Sequence, residues 1–325
     1  MSLNRPIHIA SRGSALALVQ ANLVLAQCRE HFPGKQFALK IIKTTGDKLQ
    51  TATSKQIAQE STKGLFTKEL EIALLNGEAD LAVHSLKDLP TDLPAGLMLA
   101  AVSARADVRD VLIYRNGAHF QTRAMKSGSS IGDFPISAAI ATTSTRRKAQ
   151  LLAMRPDLRI LPIRGNVGTR LQKLASQSDL DGIVLAAAGL ERLGFRVDSN
   201  GSLTGEGTPV GLSVAFLTIN EMLPCVGQAA LGIEIRENDP EIAAIVGKLN
   251  DPNTFACVSA ERAFLQTMGG GCLSPVAALA NVDGAVLRMR VISFKGEKPA
   301  TAVGERPAGE AVQLGRYLAG RIALA

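Results

Sequence analysis

The ten residues 81–90, LAVHSLKDLP, decide the fold class, because an apolar run ends here in a group of polar side chains. We predict a buried strand over 81–84, followed at once by Ser85, Lys87 and Asp88. Polar residues at the carboxyl end of a strand are typical of α/β proteins, which bind their ligands at that edge of the sheet. The stretch therefore predicts an α/β fold with a ligand site at the end of this strand.

Strands and helices alternate on both sides of this stretch. The first set has strands over 7–10, 37–43, 81–84 and 98–102, with helices over 14–30 and 65–76. The second set has strands over 111–114, 138–142, 159–163 and 182–185, with helices over 144–154 and 167–175. The alternation predicts two doubly wound lobes, each a parallel sheet covered by helices. The Gly-, Ser- and Thr-rich stretch 196–217 predicts a surface excursion that returns the chain to the first lobe.

The last eighty or so residues follow a different pattern. Helices are predicted over 240–249, 255–268 and 310–324, with strands over 276–280, 286–293 and 300–304. Strands that succeed one another through short turns favour a three-stranded antiparallel sheet in a separate α+β domain. We place domain 1 at residues 5–104 plus about 220–240, domain 2 at 105–200 and domain 3 at 241–325.

Composition narrows the function classes. Of 325 residues, 46% are hydrophobic and 20% charged, which indicates a folded globular chain. The N-terminus shows no secretory signal and no apolar run spans a bilayer, so we expect a cytoplasmic protein with no membrane partner. The net charge is +7, yet aromatic residues make up only 4% and Trp is absent. These values favour a small polyanionic ligand over nucleic acid.

Several basic residues lie where a predicted strand hands over to a helix. They are Arg12, Lys63, Arg146, Arg147 and Arg164. A helix N-terminus attracts anions, so a cation placed there is unfavourable unless an anion is bound. For Arg146 and Arg164 we expect contacts with ligand carboxylates and no structural partner. The alternative is that each is a solvated surface charge.

Asp88 is a single acid among these bases. A carboxylate at this position could hold a cation or pyrrole-type N–H groups, or pass a proton while an amine is expelled. The alternative is a salt bridge from Asp88 to Lys87 or to an arginine, with His84 as a buried histidine whose hydrogen bonds are satisfied inside the protein.

Four widely spaced cysteines predict neither a zinc site nor a disulfide, and no metal site is expected. Cys272 follows three glycines, 269–271, and is the candidate for an exposed thiol. Beside basic residues, such a thiol could form a covalent bond to an electrophile. The alternative is an ordinary turn with a half-buried cysteine. For Cys28, Cys225 and Cys257, apolar surroundings favour reduced, buried thiols.

Five motifs occur in order along the chain: ASRGSALA at 10–17, KGLFTKEL at 63–70, HSLKDLP at 84–90, RGNVGTR at 164–170 and GGC at 270–272. With them the chain resembles the hydroxymethylbilane synthase, or porphobilinogen deaminase, family from about residue 7 to the last helix. The resemblance implies two lobes like those of type II periplasmic binding proteins, with the active-site cleft between them, and a third domain that carries the cysteine.

The resemblance also implies the chemistry. Four porphobilinogen molecules are joined with loss of ammonia to give the linear tetrapyrrole hydroxymethylbilane, on a dipyrromethane cofactor held by Cys272 through a thioether. Asp88 would be the catalytic acid, and its charge would stabilise the azafulvenium-like cation left when ammonia departs. Cofactor-binding residues would be Ser14, Lys87, Thr142, Ser144, Arg146, Arg147, Arg170 and Gln228. Substrate-binding residues would be Arg12, Lys63, Ser85, Arg164 and Arg192. A monomer that passes its product to the next tetrapyrrole enzyme is expected.

The chain departs from the family pattern at four positions. Gln59 stands where the family usually has Lys, and Ser61, Thr62 and Ala229 stand where it usually has Gly. Two other functions stay open at this point: a non-enzymatic anion-binding module, and a synthase homologue impaired by the loop changes. Cys272 argues against the binding module, because a solute receptor needs no exposed cysteine and no third domain.

Overall fold

A computed structural model describes residues 5–48, 64–117, 125–126, 128–271 and 273–324. The strands are β1 Ile7–Arg12, β2 Phe37–Ile42, β3 Leu81–Ser85, β4 Leu97–Val102, β5 Asp110–Arg115, β6 Ala139–Ala141, β7 Arg159–Leu161, β8 Gly182–Ala186, β9 Arg196–Val197, β10 Leu203–Thr204, β11 Leu212–Phe216, β12 Leu231–Arg236, β13 Val276–Asp283, β14 Val286–Ser293 and β15 Ala300–Pro307. The helices are α1 Ala15–His31, α2 Thr45–Lys48, α3 Lys68–Leu75, α4 Thr145–Met154, α5 Val167–Ser176, α6 Ala187–Arg192, α7 Pro240–Gly247, α8 Pro252–Thr267 and α9 Ala311–Ala323. Of the helices in these ranges, none is long and apolar enough to cross a membrane.

The first lobe is built on a five-stranded sheet in the order β2-β1-β3-β12-β4. The strands β1, β2 and β3 are parallel, as predicted, whereas β12 runs antiparallel to both β3 and β4. The sheet is therefore mixed, not parallel. The reason is that β12 enters from the second lobe, without the helical crossover that parallel neighbours require. The strand β12 thus belongs to the sheet of the first lobe.

The second lobe repeats this plan in a sheet ordered β11-β5-β8-β6-β7. The strands β6, β7 and β8 are parallel, while β5 is antiparallel to both β8 and β11. The stretch 196–217, predicted as a surface excursion, contains regular structure that was not predicted: the β9–β10 ribbon and the edge strand β11. Leu212 and Val214 alternate into the core at 1% and 5% exposure, a short period-2 signal within a Gly-rich stretch.

The third domain is the predicted antiparallel sheet, β13-β14-β15, covered by α8 and α9. A Cβ on Gly315 would overlap the Ala260 carbonyl oxygen, so glycine allows α9 to pack closely on α8. The helix α7 lies elsewhere. Its residues Ile242 and Val246 pack in the first-lobe core with Ile7. The predicted architecture of two α/β lobes plus a small α+β domain is confirmed.

Candidate active site

Asp88 lies on a single 3-10 turn, Leu86–Asp88, directly after β3. The side chain of Leu86 is 1% exposed, and its backbone N–H donates to the Ala230 carbonyl at 3.0 Å. A Cβ on Gly232 would lie 2.8 Å from Leu86 Cδ1, so a glycine in β12 leaves room for this leucine. The buried leucine thereby fixes the turn that carries Asp88 into the wall of a cleft.

Four predicted site residues line this cleft together: Arg12, Ser14, Ser85 and Asp88. Ser14 is the N-cap of α1 and follows β1, just as Ser85 ends the neighbouring β3. The Ser85 hydroxyl donates to Gln20 Oε1 at 2.9 Å. The structure thus brings together residues that the sequence places 76 positions apart, at the adjacent carboxyl ends of two parallel strands.

Arg12 already has a carboxylate partner. Its Nη2 donates to Asp47 Oδ1 at 2.5 Å, and its guanidinium stacks 4.2 Å from the centroid of the Phe66 ring. Burial acts to raise the pKa of Asp47, but hydrogen bonds from Arg12 and Thr44 outweigh it and hold that pKa below its usual range. The Arg12 side chain is therefore oriented by Asp47 and Phe66 before any ligand binds.

Arg146 and Arg147 share one buried carboxylate. Arg146 Nη2 donates to Asp110 Oδ2 at 2.8 Å, and Arg147 Nη2 donates to Asp110 Oδ1 at 2.7 Å. Gln228 Nε2 adds a hydrogen bond to Asp110 Oδ1 at 3.0 Å. Asp110 is 0% exposed; burial opposes its ionisation, but the two guanidinium groups hold its pKa well below the usual range. These contacts bind α4 to the start of β5.

The expectation that Arg146 has no structural partner is therefore wrong, and Arg147 has the same partner. Each also donates to a backbone carbonyl, Arg146 to Leu223 at 2.7 Å and Arg147 to Val184 at 2.9 Å. The reason is that Asp110 begins a buried strand and can be ionised there only beside cations. One carboxylate faces two guanidiniums, however, and the Nε atom of each arginine is buried without a hydrogen-bond partner among the described residues. The cluster of Asp110, Arg146 and Arg147 therefore carries a net positive charge.

Arg170 and Arg192 have a different environment. Arg170 Nε donates to the Gly165 carbonyl at 2.8 Å, and Arg192 Nη2 donates to the Ala229 carbonyl at 2.6 Å. Within the described ranges, neither is hydrogen-bonded or ion-paired to a carboxylate. Burial lowers the pKa of both, and the nearby Arg147 lowers that of Arg170 further. Partly buried cations without counter-charges fit a ligand rich in carboxylates, as the implied dipyrromethane is.

Asp88 has no hydrogen bond or ion pair to any residue of the described part of the chain, which argues against the salt-bridge alternative. Its charge raises the pKa of Arg170, so the two groups interact across the lobes. The accompanying expectation for His84 is confirmed: it is 5% exposed, and its Nε2 lies 2.9 Å from Glu234 Oε2.

The remaining predicted residues occupy several settings. Ser144 is the N-cap of α4, and Thr142 Oγ1 accepts from its N–H at 3.1 Å. Gln228 is 0% exposed, and its side-chain amide donates to the Val108 carbonyl at 2.7 Å as well as to Asp110. Lys87 is half-buried on the Asp88 turn, and Arg164 is exposed just before α5. Lys63 and Cys272 lie outside the described residues, as do the unusual positions Gln59, Ser61 and Thr62.

The residues on either side of position 272 are nevertheless held in place. Thr145, the first residue of α4, donates from its hydroxyl to the Leu273 carbonyl at 2.6 Å. The Gly271 N–H donates to Ser274 Oγ at 3.2 Å. The glycine-rich loop of the third domain thus lies against the helix that carries Arg146 and Arg147.

Five residues with contacts in or beside the site were not predicted from sequence: Gln20, Phe66, Asp47, Asp110 and Thr145. Two of these residues carried a usable signal. Asp110 is a charged residue at the head of an otherwise apolar strand, a pattern that predicts a buried ion pair. Asp47 stands in a Thr-Thr-Gly-Asp turn shortly after β2, where an acid near Arg12 is a reasonable partner. Gln20 and Thr145 acquire their contacts only through tertiary packing.

Comparisons with known proteins agree with this geometry. Residues 7–244 match the family model "Porphobilinogen deaminase, dipyromethane cofactor binding domain", and residues 255–323 match "Porphobilinogen deaminase, C-terminal domain". Porphobilinogen deaminase of Syntrophomonas wolfei is 40% identical over 317 residues, covering 97% of this chain and 94% of the relative. That of Moorella thermoacetica is 41% identical over 318 residues, covering 97% and 92%. That of Desulforudis audaxviator is 43% identical over 322 residues, covering 98% and 95%.

Both family models and these near-full-length relatives agree with a cleft that brings Arg12 and Asp88 together. The chain therefore belongs to the porphobilinogen deaminase family, the dipyrromethane-dependent transferases that condense four porphobilinogen molecules into hydroxymethylbilane in tetrapyrrole biosynthesis.

Proposed function

We propose that Asp88 is the catalytic residue of this transferase. The observation that carries the proposal is a half-buried carboxylate without a protein partner in the described ranges, in a cleft that it shares with Arg12. A carboxylate left free in this way stabilises positive charge that develops on the substrate as ammonia leaves. It also takes up or returns a proton at the departing nitrogen.

The basic side chains of the site bind the acetate and propionate groups of the pyrroles. Each guanidinium presents two parallel N–H donors that match a carboxylate. Arg164, Arg170 and Arg192 do this from the second lobe, and Arg12 and Lys63 from the first. Arg146 and Arg147 contribute the charge that Asp110 does not neutralise. Hydrogen-bonding neighbours are Ser14, Ser85, Lys87, Thr142, Ser144 and, through Asp110, Gln228.

Cys272 is the attachment point of the cofactor. When bound, the dipyrromethane supplies the nucleophilic pyrrole carbon from which the chain is extended. The protein's own contribution is placement: Thr145 and Ser274 hold the two neighbours of Cys272 beside the start of α4. The proposal also includes the three-domain division, a monomeric state and a cytoplasmic location. The product is passed to the next tetrapyrrole enzyme.

The decisive experiment removes the charge of Asp88 in one variant and displaces it in a second. Asp88→Asn keeps the shape but loses the carboxylate, so turnover of porphobilinogen should fall by about 10²-fold or more with an unchanged melting temperature. Asp88→Glu keeps the charge one methylene away and should retain more activity than Asn. The matched control is Asp92→Asn, an exposed acid four residues along whose carboxylate contacts Gln266. Near-normal turnover by Asp88→Asn together with a lower melting temperature would show a structural salt-bridge residue instead.

Attachment is tested separately by intact mass. The purified protein should carry excess mass that survives denaturation and is absent from Cys272→Ala, with Cys225→Ala as the control. An unmodified mass from a host that makes porphobilinogen would refute attachment at Cys272 and support an anion-binding module.

A further inference from the structure

Three titratable side chains lie buried together directly behind the Asp88 turn. His84 and Glu234 form a hydrogen-bonded pair between β3 and β12, with side chains 3% and 0% exposed. Glu71, 6% exposed, lies on α3, which packs against both strands, and its carboxyl group interacts electrostatically with Glu234 and His84. The helix α3 packs across β1, β3, β12 and β4, so it covers this face of the sheet. Because His84 also lines the cleft, the cluster of Glu71, His84 and Glu234 borders the site.

Two carboxylate oxygens of the cluster lack hydrogen-bond donors. Glu71 Oε1 and Glu234 Oε1 are both buried without a donor among the described residues. Two buried carboxylates that are both ionised would leave two acceptors unsatisfied and place two like charges close together. One added proton removes both problems, since a carboxylic acid is neutral and is itself a donor.

We propose that Glu71, His84 and Glu234 hold one shared proton between the two carboxylates, and that the His84–Glu234 pair positions the end of β3 that carries Ser85 and Asp88. The proposal rests on the catalytic role of Asp88. None of the three residues is placed on the reacting atoms. Their effect is transmitted along β3, because Ser85 follows His84 directly and the 3-10 turn follows Ser85.

The charges around the cluster support a proton on Glu71. Burial raises the pKa of Glu71 most strongly, and the charges of Glu234 and Glu69 raise it further, whereas the Thr67 hydroxyl and the charge of His84 oppose them without reversing the shift. Glu69, on the same helix, is held by Thr45, whose N–H donates to Glu69 Oε1 at 2.8 Å. From β1, Arg12 is paired with Asp47. The group best placed to take the proton is therefore Glu71.

The shared proton is tested by thermal melting of the holoenzyme from about pH 5 to pH 9. A raised pKa in the folded state makes the proton stabilising at low pH, and that stability is lost as pH rises through the folded value. Glu71→Gln imitates the protonated acid at every pH, so it should melt higher than the wild type by about 2–4 °C on the alkaline side, with the difference vanishing toward pH 5. A variant that melts lower than the wild type throughout would overturn the shared proton, because Glu71 would then act as an ionised partner.

Positioning is tested by splitting kcat from KM. Glu234→Ala should lower kcat about tenfold with KM changed less than about twofold, and Glu234→Gln, which still accepts from His84, should restore most of kcat. His84→Gln is the second variant should Glu234→Ala not fold. The matched control is Asp80→Asn, which removes a buried carboxylate just before the opposite end of β3, where Asp80 binds Arg5 at 2.7 Å. That control should lower the melting temperature alone.

If Glu234→Ala lowered the melting temperature but not kcat, as the Asp80 control should, positioning would be refuted. The cluster would then have only a structural role. These outcomes are separate from the test of the proposed function. If Asp88→Asn turns over normally, the role of Asp88 fails, whereas the melting behaviour of Glu71→Gln still reports the shared proton.

Discussion

The helices α4 and α5 begin in the same way but leave their arginines in opposite states. Each follows a parallel strand of the second lobe and starts at a polar N-cap, Ser144 for α4 and Asn166 for α5. Arg146 of α4 is 3% exposed and bound to a buried aspartate, whereas Arg170 of α5 contacts only a backbone carbonyl and meets no carboxylate among the described residues.

The difference between them is one residue on another strand. Asp110 precedes the apolar run of β5 and neutralises cations that approach from α4, while no acid occupies the corresponding place beside α5 in the described ranges. A strand end followed by a capped helix therefore predicts where a cation lies. It does not predict whether the protein or a ligand supplies the counter-charge. The α4 arginines therefore have a structural partner, whereas the α5 arginine has no hydrogen-bonded carboxylate in the described ranges, as the proposed binding of a ligand carboxylate requires.

The largest effect is expected from removing the shared carboxylate. Asp110→Asn leaves two buried guanidinium groups without a counter-charge, and the free energy of unfolding should fall by about 3–5 kcal/mol. Denaturant unfolding of purified protein measures it. Asp107→Asn is the control, because Asp107 pairs with Arg109 near the surface, where side-chain exposure is 30% and 42%. A loss no larger than that of the control would contradict the structural role of Asp110.

Acid should reproduce this loss in the wild type. Because Asp110 has a depressed pKa when folded, its stabilising contribution is complete above the ordinary aspartate pKa of about 4 and declines as pH falls below it. The gap in melting temperature between the wild type and Asp110→Asn should therefore shrink below about pH 4. A gap that stays constant to pH 3 would mean that Asp110 is not the ionised partner.

Arg146→Leu tests the α4 side of the comparison. It removes one of two cations from Asp110, so the expected loss of unfolding free energy is about 3 kcal/mol, smaller than for Asp110→Asn because Arg147 remains. Thermal melting beside the fraction of molecules carrying cofactor measures both effects. An unchanged melting temperature with lost cofactor would restore the interpretation of Arg146 as a pure ligand residue.

Arg170→Leu tests the α5 side. Here melting should be nearly unchanged, while binding of the carboxylate ligand weakens by about 1.5–3 kcal/mol, roughly 10- to 150-fold. Cofactor content by intact mass and KM for porphobilinogen measure it. The control is Arg159→Leu, an exposed cation at the start of β7. A melting temperature many degrees lower with normal KM would place Arg170 in the same class as Arg146.

The positions of most strands and helices followed from sequence because their period and caps are local properties. The five motifs also predicted the family, which the two family models and the relatives confirm. The mixed direction of β12 and β5 was missed because sheet partners depend on where a distant segment returns. The edge strand β11 was missed because its few apolar residues stand among glycines.

The site was predicted as a set of residues, but its internal pairing was not. Asp47 and Asp110 are separated in sequence from Arg12 and Arg146 by 35 and 36 positions, so only the folded chain shows these neutralised cations. The unpaired state of Asp88 likewise follows from the absence of a nearby cation within hydrogen-bond distance in the described ranges, a property that no local pattern encodes.

The smallest effect is expected at Ala229. Its carbonyl accepts a hydrogen bond from Arg192, which, like Arg170, is hydrogen-bonded to no carboxylate in the described ranges. Ala229 has a φ of 72°, a left-handed conformation that costs an alanine about 1–2 kcal/mol, and the family usually has glycine there. Ala229→Gly relieves this strain but gives the unfolded chain more freedom, worth about 0.4–1 kcal/mol, so a net gain of about 0.5–1 kcal/mol is expected. The neighbouring Ala230→Gly is the control: Ala230 has no positive φ, so glycine there should destabilise. Urea unfolding of both variants measures the difference. If Ala229→Gly destabilised as much as Ala230→Gly, the backbone at 229 would not be strained, and the carbonyl that orients Arg192 would be held without cost.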